Sequence, residues 1–113
     1  MLAGMKMSIV RGGGFGGLVT VITADTASLA PEDARTLHAK VEQTGLFDLP
    51  ERMSGPPSQP HPFAYAVTVE DQGRTHTVRV SEEDLPESLS SLISWVSSVE
   101  GREERVVPPG VEP

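Results

Sequence analysis

The alternation of hydrophobic and polar positions over the first 26 residues predicts a β-hairpin. Polar and apolar residues alternate from Lys6 to Val10, which is typical of a strand with one buried face. Residues 18–26, LVTVITADT, are dense in the β-branched side chains that favour strands. A glycine-rich stretch of about six residues separates the two segments. We therefore expect two antiparallel strands joined by a glycine-rich turn.

The next segment predicts a helix that ends at Gly45, a residue suited to a helix C-terminus. Ser28 is a candidate cap, Pro31 suits a first turn, and acidic residues at 32 and 33 complement the positive end of the helix dipole. One face of this helix carries residues at spacings of three and four: Ala34, Leu37, His38, Val41 and Thr44. This face is expected to pack on the core.

The middle of the chain predicts a docked segment, a loop and a second hairpin. Apolar side chains in LFDLPERM, from residue 46 onward, are expected to dock on the core. Residues 54–62, SGPPSQPHP, predict a loop. In the strand that follows, alternate positions share one face: Phe63, Tyr65, Val67 and Val69. Asp71–Gly73 predict a turn, and the returning strand, residues 74–80, points Val78 and Val80 inward.

The last periodic segment predicts a second helix. Asp84, with Glu87 three residues later, matches a capping-box pattern. An apolar stripe follows, with Trp95 at its edge: Leu85, Leu89, Leu92, Ile93 and Val96. From residue 100 onward the chain is charged and proline-rich and has no hydrophobic period.

Together these elements predict an α+β fold with the order ββαββα. A four-stranded antiparallel sheet with two helices packed on one face is the simplest arrangement that buries both helical stripes. Residues 5–99 are expected to form this single domain, and residues 100–113 a mobile, charged, proline-rich tail.

Composition narrows the classes of partner. The chain has nine basic and sixteen acidic side chains, a net charge of −7, so nucleic acid is not expected to bind. It has no cysteine, which excludes disulfides and thiolate zinc sites. The first ten residues contain no apolar run long enough for a signal peptide or a membrane helix, so we expect a cytoplasmic protein that does not bind membranes.

The stretch RGGGFGG, Arg11 to Gly17, is the most unusual in the chain. Gly12, Gly14 and Gly17 match G-x-G-x-x-G, but a dinucleotide loop needs a helix directly after it, and here a strand is predicted. We expect no nucleotide and no other cofactor. Phe15 is the only bulky side chain within the glycines. It is either a hydrophobic plug on the sheet edge or an anchor for a partner's pocket.

The remaining chemistry does not indicate an enzyme. No pair of the three histidines, His38, His61 and His76, has the spacing of a metal site. The interpretation without a functional role is that His38 borders the core, His61 is solvated and His76 fills a sheet position. No serine lies in a nucleophile-elbow context.

Four segments, in order, resemble the emfourin family, whose members inhibit thermolysin-like zinc metallopeptidases. The resemblance lies in RGG at 11–13, LAPEDA at 29–34, LFDLPE at 46–51 and FAYAVTVEDQGRTHTVRV at 63–80. It covers roughly residues 5 to 99, and the glycine run here is denser than expected for the family. The resemblance implies a small inhibitor protein whose partner is a thermolysin-like metallopeptidase. We assume that it is a monomer.

For an inhibitor of that kind, the glycine-rich loop is the predicted contact surface, with Arg11 as a rim charge. Its residues are Arg11, Gly12, Gly13, Gly14, Phe15, Gly16 and Gly17. The proline-rich loop 54–62 is the rival contact surface. The alternative function is a binding or adaptor module without inhibitory activity, which would use the same loop or one face of the sheet.

Overall fold

The computed structural model of the chain describes residues 4–12, 19–52 and 64–107, and within them it has an α+β fold. The elements are β1 (Met5–Gly12), β2 (Val19–Asp25), α1 (Pro31–Thr44), β3 (Ala64–Asp71), β4 (Arg74–Ser81), α2 (Glu87–Val96) and β5 (Glu103–Val107). Two short 3-10 helices, Leu46–Asp48 and Glu82–Asp84, precede the proline-rich stretch and α2. None of the described helices is long and apolar enough to cross a membrane.

The sheet has five strands in the order β4-β3-β1-β2-β5, and every neighbouring pair is antiparallel. The prediction of four strands and of the order ββαββα is therefore wrong. The extra strand, β5, lies within residues 100–113 and pairs with the free edge of β2. Its sequence, EERVV, has no hydrophobic alternation, and four of its five residues are exposed. Backbone pairing with β2 is what makes it a strand. The two predicted hairpins, β1–β2 and β3–β4, are confirmed.

One face of the sheet carries the core. Met7 and Ile9 of β1 lie opposite Val69 and Val67 of β3, and all four side chains are buried. Leu37 and Val41 of α1 join the same cluster, as do four apolar residues of α2: Leu89, Leu92, Ile93 and Val96. Both helices therefore cover this face, which we call the helix face. The opposite face, which we call the open face, carries the alternate residues of each strand.

The α1 helix begins and ends as its sequence indicates, except for its cap. Pro31 occupies the first turn, and Gly45 ends the helix in a left-handed conformation at φ 65°. The residue at the N-cap is Ala30, with no side-chain cap bond, so the prediction of Ser28 is wrong. Leu29 is buried, and Ser28 instead belongs to the turn in which its backbone N–H bonds Asp25 O.

Apart from β5, the second half of the described chain departs from prediction at the start of α2. The β3–β4 turn places Gln72 and Gly73 at φ 52° and 80°, the geometry of a tight hairpin. Asp84 does not form a capping box: it lies in a 3-10 helix, where its Oδ2 accepts a hydrogen bond from Ser81 Oγ at 3.0 Å. The N-cap of α2 is Pro86, which ends the 3-10 helix and lets a new helix begin at Glu87.

Candidate protein-binding site

The predicted contact loop begins at the last residues of the central strand. Arg11 and Gly12 end β1, whereas Gly13, Gly14, Phe15, Gly16 and Gly17 lie outside the described residues. The elements on both sides of the loop are strands, β1 and β2. The structural context of a dinucleotide loop, a helix directly after the glycines, is therefore not present here.

The strand register brings several segments to one end of the sheet. Gly12 pairs with Ala64, Ala64 pairs with Ser81, and Val19 pairs with Val107. We call this set of strand ends the loop end. Residues 13–18, 53–63 and 108–113 all join the described chain here. The two predicted contact segments, one glycine-rich and one proline-rich, thus attach to neighbouring strands, whose spacing in a sheet is about 4.8 Å.

An arginine and a tyrosine mark the helix-face side of the loop end. Arg11 lies directly opposite Tyr65 in the β1–β3 pair, and its guanidinium carbon lies 5.9 Å from the centre of the Tyr65 ring. Arg11 is exposed, and Tyr65 is half-buried against the core. A cation over an aromatic ring at this distance is held by about 0.5–1 kcal/mol at an exposed site. The positive charge of Arg11 therefore has a defined position beside the loop.

The open face is apolar near the loop end and polar away from it. Val10 pairs with Val21 on one side and with Ala66 on the other, so these three residues form an apolar row. Val19 and Val107 form the next row outward. Val21 and Val107 are buried although they lie outside the main core. A shallow groove on the same face runs from the end of the first row, where Arg105 pairs with Val21, to Lys6, Thr23 and Glu103.

Acidic residues flank the loop end where β4 stops. Glu82, Glu83 and Asp84 follow Ser81 directly, and Glu87 begins α2. All four acidic side chains are exposed. Because Ser81 pairs with Ala64, this acidic segment lies two strands away from Arg11 at the same end of the sheet. The loop end therefore carries the positive charge of Arg11 on one strand and a cluster of negative charges two strands away.

Both histidines in the described residues are partly buried within the fold. His76 Nε2 lies 2.7 Å from the carbonyl oxygen of Leu49, so Nε2 carries the proton and donates it. The His76 ring centre is 6.4 Å from that of Phe47. His38 is half-buried on α1, and His61 lies outside the described residues. Within the described chain, no group of three or more histidine and acidic residues is placed to hold a metal ion.

Sequence reasoning did not find Tyr65 as a neighbour of Arg11, nor that the two contact segments share one end of the sheet. Both facts depend on the pairing of β1 with β3, strands that are far apart in the chain. The local signals, the glycine run and the prolines, mark each segment separately. They carry no information on which strand lies beside which.

The fold and its loop end define a small α+β protein in which two distinctive segments join neighbouring strands of an antiparallel sheet. The Emfourin family model matches residues 9–97, most of the chain, and the protein belongs to the Emfourin family. Membership implies a protease inhibitor. The match includes both loop segments and ends before β5. No curated protein and no solved structure matches the chain.

Proposed function

We propose that this protein inhibits a thermolysin-like zinc metallopeptidase by inserting segments of the loop end into the active-site cleft. Membership of the Emfourin family supports the inhibitor function, and the resemblance of four ordered segments supports the class of target. The observation that carries the choice of surface is the pairing of Gly12 with Ala64. Because of this pairing, a single orientation of the inhibitor brings both the glycine-rich and the proline-rich segment toward the active-site cleft.

The chemistry of the glycine-rich segment suits such a cleft. Thermolysin-like enzymes cleave before bulky apolar residues, and Phe15 is an apolar side chain of that kind. Glycines beside it let the backbone approach the cleft closely. Holding each loop residue in one conformation costs about 1–2 kcal/mol. The sheet offsets part of this cost, because β1 is paired with both β2 and β3 up to Arg11, and with β3 up to Gly12.

The proline-rich segment is the second contact. Prolines have a fixed φ and no backbone N–H, so Pro56, Pro57, Pro60 and Pro62 stiffen the segment and resist cleavage. The target's zinc cannot be bound by a thiolate, because the chain has no cysteine. A loop carbonyl, a carboxylate or simple occlusion of the cleft remains for that role.

The proposal is tested by titrating the protein into thermolysin with a chromogenic peptide substrate. We expect turnover to fall to background once the protein exceeds the enzyme concentration. Phe15→Ala should raise the inhibition constant by about 30-fold or more, the effect of removing a central aromatic anchor. Unchanged turnover with excess protein argues instead for a binding module without inhibitory activity, at least toward thermolysin.

Two arginines provide a matched pair for locating the surface. Arg11 and Arg74 are both exposed residues near strand ends, and each stacks on an aromatic ring, Tyr65 at 5.9 Å and Phe47 at 4.1 Å. They lie at opposite ends of the sheet. Arg11→Ala should weaken inhibition severalfold, whereas Arg74→Ala should not change it. Equal effects would place the contact elsewhere. If Phe15→Ala inhibits as well as the parent, glycine–serine replacement of residues 56–60 tests the proline-rich segment.

A further inference from the structure

The two edges of the sheet differ in how they are covered. At the β4 edge, Arg79 N donates a hydrogen bond to Glu51 O at 2.7 Å, and Arg52 forms an isolated bridge with Arg79. At the other edge, β5 has β2 as its only strand neighbour within the described residues. The outer side of β5 therefore offers backbone donors and acceptors to a further strand.

The side chains of β5 alternate between the two faces of the sheet. Glu103 and Arg105 lie on the open face, opposite Thr23 and Val21 of β2. Glu104 and Val106 lie on the helix face, opposite Ile22 and Thr20. Val106 is 58% exposed and is the one large hydrophobic side chain that is exposed in the described part of the chain. The edge is thus polar enough to stay soluble, yet it carries an ordered pattern of charge.

We infer that β5 pairs with β5 of a second copy of this chain, which joins two five-stranded sheets into one. The pairing is antiparallel, about a two-fold axis perpendicular to the sheet. Directly opposed residues of an antiparallel pair point to the same face. Residues of β5 can therefore oppose only residues of the same face in the second copy, which leaves a small number of registers.

The register centred on Glu104 pairs opposite charges across the two copies. It places Glu103 opposite Arg105 of the second copy, and the symmetry repeats this pair, so two opposite-charge pairs form on the open face. The two Glu104 side chains meet at the axis, but each has its own counter-charge, because Arg102 Nε lies 3.6 Å from Glu104 Oε2. Val106 then lies opposite the second copy's Arg102, whose aliphatic stem covers apolar surface.

The register centred on Arg105 is less favourable. It sets the two Arg105 guanidinium groups against each other at the axis. It also sets Glu103 and Glu104 against the second copy's Val107 and Val106, where neither carboxylate gains a counter-charge. The charge pattern of EERVV thus selects the register centred on Glu104 over this one.

This dimer does not depend on the proposed inhibitory function, and it leaves the loop ends free. A two-fold axis perpendicular to the sheet reverses the strand direction between copies. The loop end of one copy therefore points away from the loop end of the other. Each copy keeps its own contact surface, and inhibition of one peptidase per chain is compatible with dimerisation.

The test is the oligomeric state of the full chain, measured by sedimentation equilibrium in low salt over micromolar to millimolar concentration. The parent should dimerise reversibly. Arg105→Glu and Glu103→Arg each replace opposite-charge pairs by like-charge pairs and should raise the dimer dissociation constant by about tenfold or more. Both residues are exposed, so both variants should retain the parent's circular dichroism spectrum. Arg79→Glu, on the opposite edge, is the control and should dimerise like the parent.

Mixing the two variants tests the charge pairing directly. In a heterodimer of the Arg105→Glu and Glu103→Arg chains, each glutamate faces an arginine again. The mixture should therefore recover parent-like dimerisation, although each variant alone does not. A parent that stays monomeric at millimolar concentration overturns the inference. So does a mixture that dimerises no better than its components, because charge pairing in this register is then not what joins the copies.

Discussion

Gly101 has a backbone conformation that side chains with a Cβ rarely adopt. Its φ is +90°, and a Cβ built there would lie 2.7 Å from the carbonyl oxygen of Ser28 and 3.3 Å from Leu29 Cδ2. The residue connects α2 to β5, where the chain must pass close to the β2–α1 turn. Both the conformation and the close approach therefore require glycine.

Gly101→Ala should lower the free energy of unfolding by about 2–3 kcal/mol, from backbone strain plus the contact with the Ser28 carbonyl. Gly73→Ala is the matched control. Its φ of +80° imposes similar strain, but no atom lies within 4 Å of the added Cβ, so we expect a loss of about 1 kcal/mol. Urea denaturation of both variants measures the difference. Equal losses would mean that the contact at Gly101 relaxes without cost.

At the scale of the element, β5 is the strand that contributes least to the buried core. It supplies one buried residue, Val107, and its remaining residues are exposed. The family match ends at residue 97, before this strand. Most residues of the buried core lie in the other four strands and in the two helices. We therefore expect the four-stranded part to fold without β5.

Removing residues 102–113 should leave a folded protein that is less stable by about 1–3 kcal/mol. The loss comes from the burial of Val107 and from the backbone pairing along β2. Circular dichroism and urea denaturation test this expectation. A truncated chain that is unfolded would show instead that the sheet cannot form without β5.

The elements that could be predicted are those with a local hydrophobic period. Both hairpins and both helices have such a period, and their inward residues, such as Leu37, Val67 and Val78, are buried as expected. The strand β5 has none, because its charged residues and the prolines that follow resemble a tail. Its partner is the edge of β2, about 80 residues earlier, and no local pattern indicates that pairing.

The predictions of the two helix N-caps were wrong for a related reason. Ser28 and Asp84 both have the side chains that caps prefer, but each lies in a different local structure. The Asp84 carboxylate accepts a hydrogen bond from Ser81 Oγ, and Ser28 lies in a turn that its backbone N–H closes on Asp25 O. The candidate site was predictable only as separate pieces. Arg11 and the glycines stand out in the sequence, whereas Tyr65 beside Arg11 follows from the register of β1 with β3.

At the scale of the molecule, the direction of β1 separates the two ends of the described chain. Met5 begins β1 at one end of the sheet, and Gly12 ends it at the loop end. Eight residues of strand span about 24 Å. Val107, by contrast, ends β5 at the loop end itself, because it pairs with Val19. The two ends of the described chain thus stand at opposite ends of the sheet.

This arrangement predicts a difference between two fusion proteins. A globular domain fused after Pro113 is separated from Val107 by six residues, which reach about 20 Å at most. It should therefore weaken inhibition of the target peptidase. The same domain fused before Met1 should leave the inhibition constant unchanged. Inhibition constants of the two fusions, measured side by side, test the placement of the contact surface, and equal values would contradict it.

The direction of β1 also determines how the protein is oriented when it is attached to a surface. A surface, resin or fluorophore attached through the N-terminal side is held about one strand length behind the loop end. Molecules immobilised in this way all present the same end outward. As a capture reagent, the protein would be oriented by its own central strand, with no engineered linker needed to set the geometry.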